Sequence, residues 1–95
     1  MSEVRAVELP DEVAAEVRRR LRRVAGQVAG IERMLDDGRD CRDIATQVSA
    51  ATHALEQAGL RIVAAGMKYC IENPEAAVAE GYPLDTFEKL LLKLA

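Results

Sequence analysis

Between Ile44 and Tyr69 the apolar residues Ile44, Val48, Ala51, Leu55, Ala58, Ile62, Ala65 and Tyr69 step by 4, 3, 4, 3, 4, 3 and 4. That near-heptad period suits a helix lying along other helices and is foreign to a strand, whose faces alternate every second residue. A second seam precedes it, in which Val13, Val17, Leu21, Val24, Val28, Ile31 and Leu35 step by 4, 4, 3, 4, 3 and 4. The punctuation fits two long helices joined by a turn of two or three residues. Pro10 with Asp11 and Glu12 opens the first, which runs to about Asp37 and ends at Gly38. Asp40 caps the second, with Asp43 at its third position, and Asn73 before Pro74 stops it.

Pro74 to Pro83, with Gly81, reads as a loop or a short helical turn, and Leu84 to Leu94 as a third helix carrying Leu84, Phe87, Leu90, Leu91 and Leu94. The expectation is therefore an all-α, three-helix protomer with a long antiparallel hairpin of the first two helices. It forms a single domain over residues 1–95, with 1–9 as a flexible tail. Gly26 and Gly30 cost the first helix roughly 1 kcal/mol each relative to Ala, for which a close helix crossing would compensate.

A chain of 95 residues with 49% hydrophobic but only 3% aromatic residues and no Trp has a thin core of its own, so association with further copies is the natural way to bury its seams. The first residues lack the apolar stretch of a signal peptide, and no apolar run is long enough to span a bilayer. The sequence reads as cytoplasmic, with no membrane partner. In a reducing compartment its two cysteines are not a structural staple; they are either small core residues or reactive or metal-binding thiols.

Cys41 and Cys70 lie 29 residues apart on the second helix. At 100° and 1.5 Å per residue they come within about 20° of the same face yet stand about 43 Å apart. A partner thiol must come from an antiparallel second copy, which creates two equivalent sites about a two-fold axis near Leu55 and Glu56. Cys41, in the first turn and flanked by Arg39 and Arg42, has the surroundings that lower a thiol pKa and is the expected first nucleophile; Cys70 lies at the unfavourable end of the helix dipole.

The net charge of −3 and pI near 5.1 hide a basic segment. From Val17 to Leu35, Arg18, Arg19, Arg20, Arg22, Arg23 and Arg33 face one acid, Glu32. Such a run is either a solvated helix face or a surface that neutralises DNA phosphates. Arg20, Arg22 and Arg23 are the first candidates for phosphate contact. The single histidine, His53, is about 18 Å from Cys41 along the helix and about 120° round it, which removes it from a shared site. No phosphate loop, nucleophile elbow or paired carboxylates are evident, and the reading is neither an enzyme nor a cofactor protein.

The stretch Arg20-Leu21-Arg22-Arg23-Val24-Ala25-Gly26-Gln27-Val28-Ala29-Gly30-Ile31 resembles the RLRR-x-x-GQ-x-x-GI block of the copper-sensitive operon repressor (CsoR) family. Cys41-Arg42-Asp43-Ile44-Ala45-Thr46-Gln47-Val48-Ser49-Ala50 is similar to that family's C-x-D-[IV]-x-TQ-[IV]-SA block. The resemblance implies a helical repressor that forms a four-helix-bundle dimer and then a dimer of dimers. It also implies binding of operator DNA through basic helix faces and sensing of an inducer between antiparallel helices. Copper sensors of the family carry cysteines at the positions of Cys41 and Cys70 and a histidine four residues before the second; here that residue is Gly66.

The missing imidazole makes the chain resemble the persulfide-sensing CstR-like branch. There, reactive sulfur species link the two cysteines across protomers, and the expected repressor releases DNA when Cys41 and Cys70 are so joined, with no bound metal. A Cu(I)- or other metal-sensing repressor is the alternative. A formaldehyde sensor would leave Cys70 without a role, and a helical adaptor would use the seams alone.

Overall fold

The structure, a computed structural model, describes residues 9–81 and 84–94. Helix α1 spans Asp11–Asp36, with Pro10 at its N-cap and Asp11 and Glu12 on the positive end of its dipole. Its end is set by Gly38 at φ 67°, where the Gly38 N–H donates to the Leu35 carbonyl at 3.2 Å and the Arg39 N–H to the Met34 carbonyl at 3.0 Å. That pair of bonds is a Schellman motif, and its left-handed residue is one that glycine adopts without penalty. Helix α2, Cys41–Glu72, starts at once, its N-cap Asp40 accepting from the Arg42 N–H at 2.8 Å.

Of the loop or short helical turn expected after α2, the helical form is found, as α3 over Pro74–Ala79. Pro74 occupies its first turn, where the missing N–H is no loss and φ is already helical, and the alanines after it favour continuation. Helix α4, Leu84–Leu94, completes the described chain, so among the described residues there are four helices rather than three, and no strand. Residues 1–8 of the expected tail lie outside the described residues, whereas Leu9 packs on the cluster of Val13, Val17 and Ala58.

The hairpin is antiparallel, as expected. Its register is fixed where Arg61 Nε of α2 donates to Glu16 Oε1 of α1 at 3.0 Å and, one turn on, Arg20 donates to Gln57 Oε1 at 3.3 Å. Each seam then divides into two rows. Val17 and Val24 of α1 and Ala51 and Ala58 of α2 are buried in the hairpin, while Leu21, Val28 and Leu35 of α1 and Val48, Leu55 and Ile62 of α2 remain exposed. Both outward rows repeat every seven residues. They make a continuous apolar flank along a body measuring 54 × 26 × 23 Å.

The expected crossing at Gly26 and Gly30 is not made within the chain: a Cβ on Gly26 would meet nothing within 4 Å, and one on Gly30 only the Arg33 guanidinium at 3.7 Å. The close approaches are on α2 instead. A Cβ on Gly59 would come within 3.0 Å of Leu94, and one on Gly66 within 2.8 Å of three ring carbons of Phe87. These two glycines receive α4. The second core cluster, Val63, Cys70, Ala77 and Phe87, is built where α3 and α4 fold back over α2.

Candidate functional site

The two cysteines occupy opposite ends of α2 and different environments. Cys41 is exposed in the first turn, and Cys70 is only 3% exposed. Twenty-nine residues apart, both thiols lie on one side of a straight helix, but the apolar row between them follows a seven-residue repeat. Such a row drifts about 20° per heptad, so by Tyr69 it has turned some 80° away from the line of Cys41. Cys70 therefore faces α3 and α4 rather than the outward flank. Burial pushes its thiol above the ordinary cysteine range of about 9.

The arginines beside Cys41 are engaged elsewhere. Arg42 forms a two-point pair with Asp40, Nη2 to Oδ2 at 3.0 Å and Nε to Oδ1 at 3.3 Å, and Arg39 lies 3.8 Å from Asp43. The Arg42 hydrogen bonds lower the Asp40 pKa. Both cations thus meet carboxylates next to the thiol, which weakens the sequence argument that they serve Cys41 directly.

Of the six arginines on α1, Arg18, Arg19, Arg22, Arg23 and Arg33 are exposed. Arg20 is the exception, half-buried against α2, with its guanidinium on Glu16 Oε2 at 3.2 Å and on Gln57. It positions the hairpin, which makes Arg22 and Arg23 the better placed of the three leading candidates for phosphate contact. Sequence reasoning missed Arg61 and Glu16, the other members of this cluster. Their signal was an acid on α1 and a base on α2 interrupting otherwise apolar surroundings. His53 is exposed and lies 3.4 Å from Glu56, away from both thiols.

Among the described residues no three His, Cys, Asp or Glu side chains converge as a metal-holding group. The Phe87 ring occupies the space into which any side chain at Gly66 would project. The two thiols of one protomer stand about 43 Å apart along α2, so a site that uses both needs two chains. Among the described residues no helix is long and apolar enough to cross a membrane.

Residues 14–93 match the family described as metal-sensitive transcriptional repressor. The chain belongs to this family. It is 45% identical over 65 residues to the copper-sensing transcriptional repressor RicR of Mycobacterium tuberculosis (strain ATCC 25618 / H37Rv), a match covering 68% of this chain and 65% of that protein. It is 32% identical over 80 residues to the copper-sensing transcriptional repressor CsoR of Bacillus subtilis (strain 168), covering 78% and 77% respectively. No solved structure matches. Both relatives are described as copper sensors, so the CstR-like assignment drawn from Gly66 gains no support from them, and the metal-sensing alternative fits them better.

Proposed function

We propose that this chain is a DNA-binding repressor in which Cu(I), bridging Cys41 of one protomer and Cys70 of another, lowers affinity for the operator. One observation carries the reading. The chain's two thiols stand about 43 Å apart near opposite ends of one continuous helix, so a single ligand can join them only by joining two chains. A second copy laid antiparallel covers Leu21, Val28, Val48, Leu55 and Ile62 and brings opposite ends of α2 together. Soft thiolates suit Cu(I), and two of them satisfy it in a linear arrangement without the imidazole that Gly66 cannot offer. Arg18, Arg19, Arg22, Arg23 and Arg33, repeated by symmetry, supply the phosphate-neutralising faces. A bridged pair of chains favours one quaternary arrangement, and DNA affinity follows the spacing of those faces.

The Gly66–Phe87 packing favours a second reading, in which the bridge is sulfur. A Cys41 thiolate attacks a sulfane sulfur of a polysulfide and expels a shorter polysulfide. The partner's Cys70 thiolate then attacks the Cys41 sulfur of that persulfide and expels hydrosulfide, leaving an interchain disulfide. This chemistry needs two thiols and no third ligand.

Both readings are separated by exposing the reduced protein to Cu(I) or to polysulfide and measuring intact mass with binding to a DNA fragment selected by the reduced protein from a random library. Cu(I) sensing gives at least tenfold weaker DNA binding with a protomer mass unchanged after denaturation. Sulfur sensing gives the same loss with a covalent dimer. If neither reagent alters DNA binding, the cysteine-switch reading is wrong. C70A is expected to retain DNA binding and lose the response.

A further inference from the structure

The covering of Cys70 comes from its own chain, and it is built in register. Gly66 of α2 receives Phe87 of α4, and Gly59, seven residues earlier, receives Leu94, seven residues later. Two notches and two knobs with the same spacing, running in opposite directions, define an antiparallel seat for α4 along α2. Leu84 and Leu91 pack on the same cluster. At the open end of this seat lies Cys70, one turn beyond Gly66, with Ala77 of α3 closing over it. The Tyr69 hydroxyl donates to Glu80 Oε1 at 2.8 Å and ties the end of α3 to α2 beside the thiol.

A partner's Cys41 approaching the outward flank of α2 therefore meets α3 and α4 before it meets Cys70. We propose that α4 is a gate over Cys70, held shut by Phe87 and Leu94 in the notches of Gly66 and Gly59, and that the helix lifts as a unit before the thiol is reached. The seat suits this role. It is short, and Phe87 is its only buried side chain on α4 among the described residues, the rest being partly or fully exposed. Elements with few buried apolar contacts open at lower free energy than the core. The Tyr69–Glu80 hydrogen bond holds the end of α3 to α2, so α4 is the part that lifts. Phe87 and Leu94 act through position only; neither touches an inducer.

The inference deepens the proposed bridge between chains, but its test uses neither metal, sulfur nor DNA. The reduced, full-length protein is treated with N-ethylmaleimide under native conditions, and the alkylation rates of Cys41 and Cys70 are followed separately by peptide mass. In the unaltered chain Cys70 is expected to react at least tenfold more slowly than Cys41. L94A is the decisive variant, because Leu94 meets Gly59, about 16 Å along α2 from Cys70, and so lies at the far end of the seat from the thiol. Lifting as a unit requires L94A and F87A both to speed Cys70 at least tenfold while Cys41 changes less than twofold. Acceleration by F87A alone would mean a local hole rather than a gate, and equal rates for the two thiols in the unaltered chain would mean no barrier; either overturns the proposal. Circular dichroism confirms that each variant keeps its helices. Should L94A lose them, the milder L94V carries the same comparison.

Discussion

Gly66 shows how one residue can be read in two ways. In the sequence it marks a missing ligand, and in the structure it is also a socket. Alanine at a helical glycine ordinarily gains up to about 1 kcal/mol, but here the added methyl would strike an aromatic ring held in a packed cluster, and overpacking of that kind costs about 1–3 kcal/mol. G66A is expected to lower unfolding stability by about 1–2 kcal/mol in a urea titration. In an F87A background the same substitution should be neutral or stabilising, because the ring that opposes it has gone. A loss of equal size in both backgrounds would show that Phe87 is not what fills the notch. Cys70 carries a related expectation. Since burial raises its pKa, its alkylation rate should still be climbing at a pH where that of an ordinary exposed thiol has levelled off. The sequence told where the thiols lie on the helix. It did not tell that Cys70 is covered, because that depends on where Phe87 of a distant helix is seated.

At the level of elements, the boundaries of α1, α2 and α4 were legible because their signals are local: Pro10, Gly38, Asp40 and the Asn73–Pro74 step each act on their immediate neighbours. The helix α3 reads as a loop or turn in the sequence because Pro74 is a strong stop for α2, which masks its equal fitness to start another helix. Register between α1 and α2 was not legible, since it rests on side chains from distant parts of the chain. The Glu16 carboxylate accepts from Arg61 Nε at 3.0 Å and from Arg20 Nη2 at 3.2 Å, and the Arg61 hydrogen bond is the main cause of its lowered pKa. A carboxyl whose folded pKa lies below its unfolded value of about 4.5 stabilises the fold above that value and loses the contribution as pH falls through the folded one. E16Q is therefore expected to melt at a lower temperature near neutral pH. Its melting temperature should also fall less steeply than that of the unaltered chain as pH drops below about 4.5. Identical slopes for the two proteins in acid would remove Glu16 as the clamp of the hairpin.

For the whole molecule, the decisive fact is that three residues of each seam are left outside. Leu55 is 50% exposed and Leu35 61%, and with Leu21, Val28, Val48 and Ile62 they line one flank at heptad spacing. Contiguous apolar surface of this kind marks an association surface in a soluble chain. Two copies bring about a dozen such side chains together, each contributing on the order of 1 kcal/mol as its remaining surface is covered. Association itself costs roughly 4–15 kcal/mol, so the balance is close and a single poorly chosen residue can tip it. Leu55 is the residue to test, because the antiparallel arrangement that joins Cys41 to the partner's Cys70 sets the two-fold axis beside it. L55E would then place two carboxylates near each other on the axis in addition to removing two leucines. It is expected to convert the assembly to monomers in sedimentation equilibrium and to weaken DNA binding at least tenfold. Its melting temperature should lose the dependence on protein concentration that an associating fold shows. The arginine faces and both cysteines are untouched by this change, so a monomer that kept full DNA affinity would show that the chain binds DNA alone and that the proposed switch between chains has nothing to act upon.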